Sequence, residues 1–201
     1  GRWDYRKSTK EIIETFLKTF SKDEPVDLIV SIDNPFSGDG FKSTEERLEH
    51  YGLMDERIKI IHFPSREEYI RLIKSCNCYL SCARSEGWNL PLIEAMSCGV
   101  PAIYSNCSGQ LEFAEGKGVP VNIIGLRPAT DSSYNHFNET VGEYYEPDFE
   151  ELSTKMRFVY EFYDEIKPTS LLDSEEIREK YNWNSVSKIG LTAIYDFLER
   201  R

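Results

Sequence analysis

The feature of this sequence that most constrains its fold is the alternation of short apolar runs with amphipathic helical stretches. The apolar runs have the length of strands: VDLIVSID, RIKIIHF, CYLSC, PAIYS and VPVNI. Stretches with helical spacing of apolar residues, such as SREEYIRLIKSC, separate them, and Gly52 and Gly99 are placed to end helices. Strands joined by helices of this length pair in parallel through right-handed crossovers. We therefore predict an α/β fold with a doubly wound, Rossmann-like parallel sheet.

Helix starts are marked by the capping-box pattern, in which Ser or Asp is followed three residues later by Glu. The pattern occurs as Ser8 with Glu11, Ser65 with Glu68, and Asp173 with Glu176. The first predicts a helix from about Thr9. In VDLIVSID, the continuous apolar run predicts a strand that is buried on both faces.

The chain is predicted to form one domain over residues 1–201, divided into three parts. Residues 1–125 form the Rossmann-like core, and 126–147, polar and rich in turn formers, form an irregular excursion. Residues 148–201 form a helical tail with helices at about 148–164, 174–181 and 185–199. Leu191, Ile194, Tyr195 and Leu198 share one face of the last helix. Tyr144, Tyr145 and Phe149 either pack into the core or form an acceptor or partner surface.

Composition excludes several classes of protein. The net charge of −11 disfavours non-specific binding of nucleic acid, and no apolar run reaches the length of a membrane span. Five cysteines, an odd number, follow no signal-peptide pattern, which favours the reducing cytoplasm. Their spacing matches no paired zinc knuckle, so we expect small buried side chains rather than metal ligands.

One turn, in SEGWNLPLIEAMSCGVP, carries the candidate chemistry. Pro91 suits the first turn of a helix because its missing N–H would be unpaired there anyway. Glu94 then lies in that turn, and Glu86 lies in the loop before it. Free N–H groups around Gly87–Leu92, reinforced by the helix dipole, would receive phosphate oxygens.

Two residues of this loop allow the backbone geometry that such a phosphate receptor needs. Gly87 allows close backbone approach, and Asn89 tolerates a left-handed conformation. The two glutamates would repel an anion unless they accept hydrogen bonds from sugar hydroxyls, which indicates a sugar nucleotide. An alternative stays open: Glu94 complements the helix dipole and Glu86 is a solvated loop charge.

Cations precede the first helix in GRWDYRKS, where a helix start favours anions instead. Arg2, Arg6 and Lys7 are therefore either solvated or join the helix end in binding a ligand anion. Fixed cations and backbone dipoles can stabilise a leaving diphosphate without a metal. The sequence contains no Asp-x-Asp pair, which weakens any scheme that bridges the diphosphate with Mg²⁺ or Mn²⁺.

The segments GRWDYRK and RIKIIHFPSREEYIRLIKSCNCYLSCARSEGWNLPLIEAMSCGVPAIYSNCSGQLEF resemble the carboxyl-terminal half of retaining GT-B glycosyltransferases. This is the group 1 family, related to glycogen synthases and mannosyltransferases. The resemblance covers about residues 1–125 and, more weakly, the tail to Arg201. Its E-x7-E motif, usually EGFGLPxxEAMAxGxPV, falls on Glu86 and Glu94.

The resemblance implies roles for the cations and the acidic pair. The family's Gly-Arg-x-x-x-x-Lys pattern falls on Gly1, Arg2 and Lys7, so Arg2 and Lys7 would grip the donor's diphosphate. Arg6 would take no part. Glu94 would bind the ribose hydroxyls, and Glu86 would lie at the donor sugar.

The resemblance also implies a set of binding contacts. Backbone amides of Trp88, Asn89 and Leu90, after Gly87, would contact sugar and phosphate, and the base would lie beside Phe63. Trp88 and Asn89 replace the usual Phe and Gly, which puts the identity of the donor sugar in doubt. The amide of Asn89 adds a group that can read a hydroxyl.

The resemblance implies that this chain supplies the donor site of a retaining transferase, with a UDP- or GDP-linked sugar as donor. The acceptor attacks the face that the diphosphate leaves, without a covalent nucleophile, metal or cofactor. The acceptor, a glycan or lipid-linked molecule of polysaccharide biosynthesis, would bind an amino-terminal domain that this chain lacks. Alone, the chain would bind donor weakly and turn over little. The full-length protein would be cytoplasmic, either free or peripheral to a membrane.

Two rival functions compete with this one. A nicotinamide-dependent oxidoreductase is disfavoured because no G-x-G-x-x-G joins a strand to a helix. A non-catalytic module that binds a nucleotide-sugar or a partner within a larger polysaccharide-synthesis protein stays open.

Overall fold

The computed structural model describes residues 2–34, 40–62, 65–129, 140 and 142–200. The strands are β1 (Leu28–Val30), β2 (Ile58–Ile60), β3 (Tyr79–Ser81), β4 (Ala102–Ser105), β5 (Val119–Val121), β6 (Ile123–Pro128) and β7 (Glu143–Pro147). β1 pairs in parallel with β2, and β4 pairs in parallel with β3 on one side and β5 on the other. The predicted parallel α/β architecture is confirmed.

Helices connect these strands and complete the carboxyl-terminal part. They are α1 (Thr9–Thr19), α2 (Thr44–His50), α3 (Arg66–Ser75), α4 (Leu90–Ser97), α5 (Leu111–Ala114), α6 (Phe149–Glu161), α7 (Tyr163–Tyr181) and α8 (Trp183–Glu199). One core cluster joins the two parallel strand sets, because it contains Val30 of β1 together with Ile103 of β4 and Val121 of β5. Leu152 of α6 belongs to the same cluster.

Burial of the strands follows their place in the fold. All four residues of β4 are buried, as expected for a central parallel strand. The prediction that the first strand is buried on both faces is wrong, since Ile29 is 40% exposed. This difference follows from position, because β1 pairs with β2 alone among the described strands.

The segment predicted to be irregular, 126–147, is regular at both ends, so that prediction is wrong there. β6 and β7 form an antiparallel ribbon in which Leu126 lies opposite Tyr145 and Arg127 opposite Tyr144. Cross-strand pairing supplies the backbone hydrogen bonds that a polar loop would otherwise leave to water. Residues 130–139 and 141 lie outside the described part of the chain.

The tail is helical as predicted, but its boundaries differ. α7 runs unbroken over Tyr163–Tyr181, so the predicted helix start at Asp173 and Glu176 is wrong. Ile177 of α7 is buried in a cluster with Leu92 of α4, and this packing continues the helix past the local cap signal.

The two remaining capping boxes have opposite outcomes. Ser65 and Glu68 form the predicted box at the start of α3, with both reciprocal hydrogen bonds. The box at Ser8 and Glu11 is wrong. Ser8 has a left-handed backbone (φ 54°) and makes no cap with its side chain. Ser8 Oγ and Glu11 instead accept hydrogen bonds from Arg84, at 3.1 and 2.9 Å, because a buried guanidinium binds both more strongly than a neutral backbone N–H would.

The described helices include none that is both long and apolar enough to cross a membrane. On α8, the predicted apolar face (Leu191, Ile194, Tyr195, Leu198) is exposed along its length.

Candidate functional site

Two cations converge on the first glutamate of the motif. Glu86 lies in the loop between β3 and α4, and its side chain is only 8% exposed. The Lys7 ammonium contacts one carboxylate oxygen, and Arg6 Nη1 lies 3.4 Å from the other. Arg6 Nη1 also donates to the Ser85 carbonyl at 2.7 Å. Arg6, which the resemblance gives no part in binding the diphosphate, thus contacts the same carboxylate as Lys7.

The Glu86 loop is held by the chain that follows β4. Glu86 N donates to Ser108 Oγ at 3.1 Å, and Gly109 N donates to the Glu86 carbonyl at 3.2 Å. A Cβ at Gly109 would lie 1.8 Å from the Gly87 carbonyl oxygen, whereas a Cβ at Gly87 would meet open space. The absence of a side chain at Gly109 therefore lets the two loops approach each other, and the close backbone approach to a ligand at Gly87 stays a prediction.

Asn89 caps α4 through its backbone. Its φ of 65° is the left-handed conformation that the sequence predicted. The side chain is buried, and its Nδ2 donates to Ser81 Oγ at 2.7 Å and to Gln110 Oε1 at 2.6 Å. Both amide protons are thus used inside the fold. Neither proton is left to donate to a substrate hydroxyl, and the reading of a hydroxyl by the amide oxygen stays a prediction.

The backbone N–H groups that lead into α4 point to an anion site. Gly87, Trp88, Asn89 and Leu90 donate no N–H hydrogen bond to any acceptor in the described ranges. Leu92 N and Ile93 N already donate to the Asn89 carbonyl. The start of α4 therefore leaves a short run of donors, added to the positive end of the helix dipole, for an anionic ligand.

The side chains of the next two residues point in different directions. The Trp88 ring packs against Phe113 of α5 and Tyr181 of α7, with centroids 5.5 and 5.7 Å apart. Leu90 is exposed at the first position of α4. Trp88 thus ties the loop to the tail, and any contact it makes with a ligand falls to its backbone.

The second glutamate of the motif lies in the second turn of α4 and contacts α3. The prediction that Glu94 lies in the first turn is wrong, because α4 begins at Leu90, one residue before Pro91. Tyr69 Oη donates to one oxygen of Glu94 at 2.9 Å, and Arg66 Nη2 lies 2.8 Å from the other. Burial, aided by the charge of Glu94, raises the pKa of Tyr69. The hydrogen bond to Glu94 raises the pKa of Arg66. Glu94 is therefore held in place by two neighbours that the sequence did not reveal.

The two carboxylates act on a common neighbour. Burial first, and then the charges of Glu86 and Glu94, raise the pKa of Tyr79 in β3. Both glutamates thus lie within electrostatic range of this one hydroxyl.

The remaining predicted site residues are less defined. The Arg2 carbonyl accepts a hydrogen bond from Thr9 Oγ1 at 2.8 Å, which sets its backbone beside the start of α1. Binding of diphosphate by the Arg2 side chain stays a prediction. Gly1 and Phe63 lie outside the described residues.

The cysteines behave as small apolar side chains where they are enclosed. Cys82 and Cys107 are buried, as predicted, and the other three are half-buried. Burial raises the pKa of Cys78 to about 12 and keeps that thiol neutral. Across the described ranges, no group of three or more His, Cys, Asp or Glu side chains is arranged to hold a metal ion.

The family model for glycosyl transferases group 1 matches residues 1–119, which include Lys7, Glu86 and Glu94. The chain belongs to the group 1 glycosyltransferase family. Its fold is that of the carboxyl-terminal domain of GT-B members of that family, as its structural neighbours show.

Relatives of this group 1 chain include enzymes of known donor. A Xanthomonas campestris GDP-mannose:cellobiosyl-diphosphopolyprenol alpha-mannosyltransferase is 28% identical over 138 residues, 66% of this chain and 34% of that protein. A glycosyltransferase from Rickettsia africae superposes with a TM-score of 0.76 at 15% identity, over 100% of this chain and 47% of its own. Anabaena HepE, solved with UDP-glucose, gives 0.73 at 14% identity, over 98% and 47%. The chain thus spans between a third and a half of the length of these proteins.

The sequence did not identify several residues of the candidate site. Arg66 and Tyr69 lie on a helix face that reads as solvated, and Ser108 and Gly109 follow a different strand. Arg84 could have been identified from the sequence, because an arginine that directly follows an apolar strand is rarely buried without partners. In the structure it is 2% exposed and fully hydrogen-bonded.

Proposed function

We propose that this chain supplies the donor site of a glycosyltransferase that moves a sugar from a nucleoside diphosphate to an acceptor with retention of configuration. The observation that carries the proposal is the contact of Lys7 and Arg6 with Glu86 in the loop that leads into α4. Two cations contact Glu86, and the backbone N–H groups of the next four residues donate to no acceptor among the described residues, which suits the two phosphates of a donor.

Glu86 would accept hydrogen bonds from the donor sugar in this scheme. The Lys7 ammonium has three protons, so it can keep its contact with Glu86 while it donates to a phosphate oxygen. Glu86 then orients the cation and offers its other acceptor positions to sugar hydroxyls. Arg2 adds a further cation from the same segment.

Glu94 would hold the ribose. Tyr69 and Arg66 occupy only part of the acceptor capacity of its carboxylate, which has about four lone-pair positions. The base would extend toward Phe63. The relatives act on or bind GDP-mannose and UDP-glucose, which supports a nucleoside diphosphate sugar but leaves the base open.

The reaction we propose needs no enzyme nucleophile. The C–O bond from the sugar to the diphosphate breaks, the bond to the acceptor forms on the same face, and the acceptor proton leaves with the diphosphate. Lys7, Arg6, Arg2 and the α4 amides stabilise the negative charge that develops on the leaving group. The acceptor would bind in the part of the protein that this chain does not span, and we place the reaction in cytoplasmic polysaccharide synthesis.

Calorimetric titration of the chain with UDP and with GDP tests the donor site. We expect one of them to bind, and Lys7→Met to weaken that binding about tenfold or more, because a charge-assisted contact to phosphate is lost. Lys10→Met is the matched control, because it removes the same charge at a residue that pairs with Glu14 on the α1 surface. Equal losses in both variants, or no heat from either ligand with folded chain, would contradict the proposal.

Glu86→Gln in the full-length protein separates catalysis from binding alone. We expect transfer to fall about a hundredfold or more, while the product keeps the donor's anomeric configuration by NMR. Unchanged transfer would favour the non-catalytic binding module, or would place the chemistry elsewhere.

A further inference from the structure

Arg84 is a buried arginine that joins four parts of the fold. It follows β3, and its guanidinium donates to Tyr5 O at 2.6 Å and Ser8 Oγ at 3.1 Å. The same group donates to Glu11 of α1 at 2.9 Å and to Glu146 of β7 at 3.0 Å. It also lies 3.8 Å from the centroid of the Tyr5 ring.

The Arg84 backbone binds the same segment. Arg84 N donates to the Arg6 carbonyl at 2.7 Å, and its own carbonyl accepts from Tyr145 N at 3.1 Å. The turn before α1 is therefore fixed at consecutive residues, by the guanidinium at Tyr5 and by the backbone at Arg6. The next residue, Lys7, reaches Glu86.

This attachment compensates for backbone strain. Ser8 has a positive φ of 54°, a conformation that is strained for a non-glycine residue. Such a turn persists only when its surroundings hold it, and Arg84 supplies a charged donor to Ser8 Oγ. Without Arg84, the turn would be free to relax and take Arg6 and Lys7 away from Glu86.

Arg84 cannot act on a ligand by contact or by net charge. It is 2% exposed, and two carboxylates, Glu11 and Glu146, neutralise it. Although burial opposes charge on Arg84, its hydrogen bonds to Glu146 and Glu11 raise the pKa of its guanidinium. Any influence on the site must pass through the position of the turn.

We propose that Arg84 is a positioning residue that holds the 4–8 turn so that Arg6 and Lys7 face the donor's diphosphate. The inference rests on the proposed donor site. It also gives the β6–β7 ribbon a role, because Glu146 of that ribbon accepts hydrogen bonds from the guanidinium.

The test compares the affinity of Arg84→Lys for a nucleoside diphosphate with its affinity for the nucleoside. The probes are UDP with uridine and GDP with guanosine, measured by calorimetry and ligand-observed NMR on the folded chain. We expect the diphosphate to bind about tenfold more weakly than to the wild type, because a single ammonium cannot reach Tyr5, Ser8 and both carboxylates together. Nucleoside affinity stays within about twofold, because Arg84 does not act at the base or ribose.

Arg57→Lys is the matched control. Arg57 is also buried, pairs with Asp55 and donates to the Phe20 carbonyl, but at the other end of α1. It should leave the ratio of diphosphate to nucleoside affinity unchanged. A shift of that ratio as large as in Arg84→Lys would show a general loss of stability and overturn the inference.

Glu146→Gln decides the matter if Arg84→Lys does not fold by circular dichroism. It keeps the shape of the side chain but weakens the anchor of the guanidinium, so a smaller, equally selective loss of diphosphate affinity is expected. If a folded variant keeps the wild-type preference for the diphosphate over the nucleoside, the inference is overturned and the proposed function is left intact. A wild-type chain with no such preference would overturn both.

Discussion

At the scale of single residues, the loop around Glu86 is shaped by the glycine that contacts it. Gly109 has no room for a side chain, since a Cβ would lie 1.8 Å from the Gly87 carbonyl. Ser108 beside it has a φ of 59° and accepts from Glu86 N. The tight approach of these two loops sets where the Glu86 carboxylate lies.

Substitution of the two glycines should therefore have unequal effects. We expect Gly109→Ala to lower the free energy of unfolding by about 2 kcal/mol or more, because the added methyl must push two backbones apart. Gly87→Ala, where the Cβ meets open space, should change it by less than about 1 kcal/mol. Urea denaturation measures both. Equal losses would mean that the loops do not approach as described.

At the scale of elements, local signals succeeded where nothing buried competed with them. α3 starts at Ser65, where both reciprocal hydrogen bonds of the capping box form and Glu68 has its pKa lowered by the Ser65 hydroxyl. At Ser8 the same pattern failed, because Arg84 takes both side chains. The capping-box pattern thus marked a helix start at Ser65 and at Ser8 but not at Asp173, and it predicted the use of the side chains only at Ser65.

Loss of the α3 cap should be measurable. Ser65→Ala is expected to cost about 1 kcal/mol of stability, since an N–H in the first turn loses its acceptor. Ser187→Ala, on the exposed surface of α8, is the matched control and should cost less than about 0.5 kcal/mol. Thermal denaturation compares them, and indistinguishable melting temperatures would argue against the cap.

At the scale of the whole molecule, the helical tail belongs to the same folded unit as the site. α6 contributes Leu152 and Met156 to the main core, and α7 packs its Ile177 against the cluster beneath α4. Tyr181 at the end of α7 touches the Trp88 ring in the site loop. Packing of the tail therefore helps to hold the site loop in place.

A pair of substitutions on α7 tests this support. Ile177→Ala should lower the free energy of unfolding by about 2–4 kcal/mol, because a buried side chain leaves a cavity. Leu172→Ala on the same helix removes a side chain that is 68% exposed and should cost less than about 1 kcal/mol. A single cooperative urea transition, shifted only by the first variant, is expected. Two separate transitions would show that the tail folds on its own.

The sequence alone determined the α/β class, the parallel strands, the left-handed Asn89 and the placement of Glu86 and Glu94 around a helix start. These follow from periodicity, turn chemistry and the E-x7-E spacing, all of which act within a few residues. The sequence did not predict contacts between distant segments, namely Arg6 with Glu86, Tyr69 with Glu94, and Arg84 with its four partners. Only the tertiary structure decided these, because burial of a charge depends on which partners the fold brings to it. The same reason explains the β6–β7 ribbon and the unbroken α7, where pairing and packing across the molecule override local preference.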